Sequence, residues 1–94
     1  MTSSELLASA EAHLRILFDI FMKANAVHFG AEGSVRDMVW DYASREGRAK
    51  VLWPLRYALT GREKSPDPFL IASILGGPLV CDRISNAIKL LESA

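Results

Sequence analysis

The chain has 94 residues, of which half are hydrophobic and 23% are charged. A chain of this size can bury roughly 60–70% of the surface that its unfolded state exposes, so this composition predicts a globular domain rather than disorder. No apolar run approaches the roughly 20 residues of a membrane span, and the polar N-terminus does not resemble a secretory signal. We therefore expect one cytoplasmic domain over residues 1–94.

The charges are unevenly distributed along the chain, although the net charge is zero. Residues 45–64 carry six basic and two acidic side chains, net +4, whereas residues 1–44 have a net charge of −3 and residues 65–94 of −1. A local basic stretch on a neutral domain fits a polyanion that binds at one place, but from charge alone we favour a solvated loop and helix face. The basic residues assigned to such a binding site are Arg48, Lys50, Arg56, Arg62 and Lys64.

Helical periodicity begins at the N-terminus. Thr2 and Glu5 have the spacing of a capping box, and apolar residues at helical spacing then predict a first helix over about residues 4–24. A loop with two glycines follows. Ser34 is predicted to cap a second helix, which ends at Gly47.

Three further helices are predicted in the second half of the chain. The third covers about residues 48–60 and contains Pro54, so it either starts late or bends there. Ser65 as a cap, with Pro66 at the first helical position, predicts the start of a fourth helix that ends at the next glycine pair. Pro78 opens the fifth. The predicted fold is all-α, a compact bundle of about five helices.

Few residues offer catalytic or metal-binding chemistry. His13 and His28 lie in different elements, without a cysteine or a pair of acids at metal-ligand spacing. Ser65 has no neighbouring base and is interpreted as a helix cap, and Cys81 lies among apolar residues and is interpreted as part of the core. We expect no catalytic residue, metal or cofactor.

The segment between the third and fourth helices is the most informative part of the sequence. Arg56 lies just over one turn before the predicted helix end, and Arg62 and Lys64 lie in the turn that follows. The free amide groups of a helix that starts at Ser65 favour an anion such as phosphate. Arg56 follows the inward-facing Leu55 by about 100°, which predicts a position at the margin of the core. Arg56 is expected either to contact RNA or to act structurally, by capping a helix or pairing with Asp41 or Asp67.

Two aromatic residues in the same segment, Trp53 and Tyr57, are four positions apart and therefore share a helix face. They are candidates for stacking on unpaired bases, but two aromatic residues at this spacing also fit a helix that packs against a core. We favour the second interpretation and expect both rings to lie in the core.

The same stretch resembles the signature of the C-terminal anticodon-binding domain of bacterial and organellar glutamyl-tRNA synthetases. That signature is Pro-Leu-Arg-x-Ala-Leu-Thr/Ser-Gly, a short turn, Ser/Thr-Pro-x-x-Phe and an apolar helix that ends in Leu-Gly. Here its parts are residues 54–61, 65–69 and 74–76, and order and spacing agree over residues 50–76. Leu70 departs from the pattern, which commonly has glutamate after the phenylalanine.

The resemblance implies an all-helical domain that binds the anticodon loop of glutamate tRNA. It further implies that Arg56, Ser65, Pro66 and Pro68 line the site for unpaired bases. The nucleotide-binding motifs of the synthetase are not among these residues, so we expect no aminoacylation by this chain alone and a possible partnership with a catalytic half. A cut fragment, one piece of a split enzyme and an independent domain all fit. A helical protein-interaction module derived from the same domain is the alternative, and a freestanding enzyme fits least.

Overall fold

A computed structural model describes residues 3–24, 29–61 and 67–93 of the chain, and within these ranges it contains five α-helices and no β-strand. This confirms the all-α prediction. The helices are α1 (Ser3–Lys23), α2 (Glu32–Glu46), α3 (Arg48–Thr60), α4 (Pro68–Leu75) and α5 (Gly77–Glu92). Several residues used in the predictions lie outside the described ranges: Thr2, His28, Arg62, Lys64, Ser65 and Pro66.

The second helix starts earlier than predicted. Its N-cap is Ala31, which has an extended backbone and makes no side-chain capping hydrogen bond, so Ser34 lies inside the first turn instead of capping it. The backbone N–H of Val35 donates to the carbonyl of Ala31 at 3.2 Å, and the Val35 side chain is fully buried. Burial of this side chain therefore offsets the lack of a polar cap.

The fourth helix is capped by Asp67, whose carboxylate accepts a hydrogen bond from the backbone N–H of Phe69 at 2.8 Å. Pro68 occupies the first helical position, where a missing N–H removes no helical hydrogen bond. The helix therefore starts two residues later than predicted, with Asp67 as its cap; Ser65 and Pro66 themselves lie outside the described residues.

The third helix is the centre of the fold, because it packs against each of the other four helices. Its buried residues are Val51, Pro54, Leu55 and Leu59. The helix begins directly at Arg48 and continues through Pro54, which lacks the N–H that would otherwise bond to the carbonyl of Lys50. Of the two alternatives considered for Pro54, a late start of the helix is therefore wrong, and the predicted range of about residues 48–60 is confirmed.

Glycines with positive φ lie at both ends of α3. Gly47 (φ 104°) separates α2 from α3, and its N–H bonds to the carbonyl of Ala43 at 2.9 Å. Gly61 adopts the left-handed conformation (φ 73°) after α3, and its N–H bonds to the carbonyl of Tyr57 at 2.8 Å. Residues other than glycine are strained in these backbone conformations, which explains why α2 and α3 end at these two glycines, as predicted.

The other four helices also pack against one another around α3. α1 packs most extensively against α5, and α2 against α4. A buried hydrogen bond between His13 Nδ1 and the Tyr42 hydroxyl, 2.5 Å long, joins α1 to α2. No single helix in the described ranges is long and apolar enough to cross a membrane; α4 and α5 meet that criterion only as a pair, which is bent by 119°.

The cysteine lies in the core, as predicted. Cys81 belongs to the cluster of buried apolar residues, and its burial raises the pKa of the thiol. A raised pKa keeps the thiol protonated at neutral pH, which makes it a poor nucleophile.

Truncation of Leu55 tests the central position of α3. Its side chain is fully buried, so Leu55→Ala should lower the free energy of unfolding by about 2–5 kcal/mol. Leu90→Ala is the matched control, since Leu90 is 74% exposed and should cost no more than about 0.5 kcal/mol. Urea denaturation followed by circular dichroism measures both; equal losses would contradict a core centred on α3.

Candidate nucleic-acid interface

A depression lies where α2, α3 and α4 meet, with a volume of about 480 Å³. Each of the three helices contributes to its walls, so packing of α3 against both neighbours sets its shape. Its lining residues combine two arginines, one carboxylate, two aromatic rings and apolar side chains: Arg36, Trp40, Leu52, Arg56, Asp67, Pro68 and Phe69.

Arg56 has an unusual environment in this depression. Its Nε atom is buried and has no hydrogen-bond partner among the described residues. Neither Asp41 nor Asp67 forms an ion pair with it, and the carbonyl of Leu59 near the end of α3 accepts its hydrogen bond from Arg83 instead, at 2.5 Å. Within the described ranges, Asp67 therefore pairs with Arg36 instead of Arg56, and one guanidinium donor of Arg56 has no partner.

Asp67 interacts with two groups at the edge of the depression. One carboxylate oxygen caps α4 through the N–H of Phe69, and the other lies 3.6 Å from Nη2 of Arg36. The Arg36 guanidinium also lies 5.7 Å from the centroid of the Phe69 ring. Asp67 satisfies the first free amide of α4 itself, so an external anion does not find that donor free.

A tryptophan on α2, absent from the set of residues predicted from the sequence, forms one wall. Trp40 packs edge to face against Phe69, with ring centroids 6.4 Å apart and planes at 64°. The guanidinium of Arg48, the first residue of α3, lies 4.7 Å from the Trp40 centroid. Arg36 and Trp40 are four positions apart on one helix, a spacing that places both on the same face.

The predicted site residues in the described ranges are only partly brought together. Arg56 and Pro68 line the depression, and Arg48 is linked to it through Trp40. Lys50 is exposed in the first turn of α3, with its aliphatic chain beside Gly47, and does not line the depression. Arg62, Lys64, Ser65 and Pro66 lie outside the described residues.

The aromatic pair on α3 lies away from Arg56. Trp53 and Tyr57 line a separate apolar groove of about 350 Å³ between α1, α3 and α5, together with Leu7 and Leu90. Trp53 is half-buried, but Tyr57 is 52% exposed, so the expectation that both rings lie in the core is wrong for Tyr57. The phase of α3 explains the separation, because Arg56 and Tyr57 are consecutive and project about 100° apart.

Comparison with known proteins places the chain in a family. The family described as "Anticodon binding domain" matches residues 4–88, so the chain belongs to the anticodon-binding domain family. It is also similar to glutamate–tRNA ligase 2 of Rhodospirillum centenum, with 42% identity over 59 residues. That match covers 61% of this chain but only 13% of the ligase. The comparison with solved structures found no match. These findings confirm the resemblance to glutamyl-tRNA synthetases.

The two roles of Asp67 are separable by mutation. Asp67→Ala removes both the cap and the ion pair and should destabilise the domain by about 0.5–2 kcal/mol. Asp67→Asn keeps a capping oxygen and loses only the partly exposed ion pair, which contributes about 0–1 kcal/mol. Thermal unfolding followed by circular dichroism should therefore rank Asn close to the wild type and Ala below it. Equal losses in both variants would assign the effect to the ion pair.

Proposed function

We propose that this domain binds the anticodon loop of a glutamate tRNA, and that the depression between α2, α3 and α4 contacts the unpaired bases. The observation that carries the proposal is the buried Nε of Arg56, which has no hydrogen-bond partner among the described residues and lies in a depression that also holds Arg36, Trp40 and Phe69. Membership of the anticodon-binding domain family and similarity to a glutamate–tRNA ligase support the choice of RNA.

The chemistry of the depression suits a single-stranded loop. Unpaired bases present carbonyl oxygens and ring nitrogens as acceptors, and their flat faces pack against aromatic rings and guanidinium planes. Such an acceptor satisfies the Nε–H of Arg56, which has no partner among the described residues. The guanidinium plane also offers a flat contact surface as well as charge. A site made of lysines offers charge without this planar geometry.

We propose that residues 62–66, between α3 and α4, belong to the same interface because of their place in the chain. They connect Gly61 at the end of α3 to Asp67, which lies at the rim of the depression. We propose that Arg62 and Lys64 neutralise phosphates there, and that Ser65 and Pro66 border the bases. The family resemblance supports the role proposed for Ser65 and Pro66, and positive charge supports the role proposed for Arg62 and Lys64.

Aminoacylation belongs to the remainder of a synthetase in this proposal. The chain spans 13% of the length of the ligase that it resembles. We propose that it contributes recognition of the tRNA and that a catalytic half of the ligase is its functional partner.

A helical protein-interaction module is a second candidate, and one observation favours it. The apolar groove between α1, α3 and α5 leaves Leu7, Tyr57 and Leu90 exposed, as a surface that binds an apolar partner does. A partner bound through this groove would show little dependence on salt. The RNA interface predicts the opposite, because phosphate contacts release counterions.

Substitution of Arg56 tests the proposed function. Arg56→Lys and Arg56→Ala should each weaken binding to a glutamate anticodon stem–loop by about 1–3 kcal/mol, because neither side chain replaces the guanidinium fork. Both variants should fold with little change in melting temperature, since Arg56 has no ion pair within the described residues. Fluorescence anisotropy of a labelled stem–loop measures the binding, and a salt series distinguishes the type of contact.

Arg45→Ala is the matched control, because it removes one exposed positive charge from the end of α2, outside the depression. It should leave binding nearly unchanged. For Arg56→Ala, a log–log salt slope reduced by about 1 indicates a phosphate contact, and an unchanged slope indicates a base contact. The proposal is wrong if Arg56→Ala binds the stem–loop as the wild type does, or if it unfolds the domain.

A further inference from the structure

Trp40 is held in a fixed orientation on the α2 wall of the depression. Its ring is half-buried, packs against the hydrophobic core and meets the Phe69 ring edge to face at 64°. Phe69 is itself buried, so this contact anchors one side of the indole. The indole therefore presents a flat surface without needing to be ordered when a ligand arrives.

Arg48 lies over that surface but is not fixed there. Its guanidinium is 4.7 Å from the ring centroid, and the residue is exposed at the first position of α3. An exposed cation–π contact of this kind contributes only about 0.5–1 kcal/mol. A planar ligand is thus able to displace the guanidinium from the ring at little cost, and the guanidinium then remains close enough to cover the ligand or to meet its phosphate.

The charges around Trp40 fit a nucleotide better than a purely apolar ligand. Arg36 and Arg56 line the same depression, and Arg48 lies at its edge. Among the described lining residues, Asp67 supplies the one carboxylate, so positive charge predominates. Flat aromatic surface beside guanidinium groups is the combination on which unpaired bases stack. The contact between Arg48 and Trp40 borders an open depression, and in that depression the Nε of Arg56 has no partner among the described residues. Both features favour a ligand site over a contact that only stabilises the fold.

We infer that Trp40 is the platform on which one unpaired base of the bound RNA stacks, with Arg48 as the mobile group that covers that base. This inference rests on the proposed function. It gives Trp40 of α2, which lines the depression, a defined role in that interface. In this inference, Trp40 stacks on the base, and the Nε–H of Arg56 donates a hydrogen bond to an acceptor atom of the RNA.

Fluorine NMR of the chain labelled with 5-fluorotryptophan tests the inference in the intact protein. The sequence has two tryptophans, so two signals are expected, and Trp40→Phe assigns them. Titration with the glutamate anticodon stem–loop should shift the Trp40 signal along the same isotherm that anisotropy of the labelled RNA reports. RNA binding without a shift of this signal overturns the inference and leaves the proposed function standing. If no RNA binds, both are overturned.

Affinity of Trp40 variants gives a second, independent measurement. Trp40→Ala should weaken RNA binding by about 5- to 150-fold, the range found when a stacking aromatic residue is removed. Trp40→Phe keeps an aromatic face and should retain most of the affinity, so it tests the inference even if the alanine variant unfolds. Arg48→Lys, which keeps the charge but lacks the plane, should fall between the wild type and Trp40→Ala. Wild-type affinity in Trp40→Leu, checked for folding by circular dichroism, would contradict a stacking role.

Discussion

Burial of one face of α3 is the constraint on which the rest of the structure depends. Each of the other helices packs against this one, and its side chains Val51, Leu55 and Leu59 are essentially inaccessible to solvent. Burial of an aliphatic side chain contributes about 1.5–3 kcal/mol, a large share of the stability of a domain of this size. Because Gly47 separates α3 from α2 and Gly61 ends α3, the length and position of α3 are fixed at both ends.

The position of Arg56 follows from that constraint. Because Leu55 and Leu59 face inward, the helix phase places Arg56 at the margin of the core, in the depression that residues of α2 and α4 also line. Among the described residues, the buried Nε of Arg56 has no hydrogen-bond acceptor, and a buried donor left in that state costs about 1–3 kcal/mol. A bound acceptor removes that cost, and the gain in binding comes from a group that is already positioned.

The sequence predicted those parts of the structure that depend on local signals. Helix number and the ends at glycine follow from periodicity and from residues that tolerate positive φ, as at Gly61. The start of α4 was misassigned because Ser65-Pro66 and Asp67-Pro68 are equivalent local signals. Tertiary packing selects the second, which buries Phe69. The role of Trp40 was missed because it depends on contacts across helices, with Phe69 on α4 and Arg48 on α3, which helical periodicity does not report.

The most direct test of the account is a map of backbone amide shifts in the ¹⁵N-labelled domain on addition of a glutamate anticodon stem–loop. The account predicts that the largest shifts cluster around Arg56, Trp40 and Phe69, where α2, α3 and α4 meet. Amides near Leu90 and Ile16, on other faces of the domain, should move little. Shifts concentrated along the apolar groove of Leu90, or a spectrum that the RNA leaves unchanged, would contradict the account.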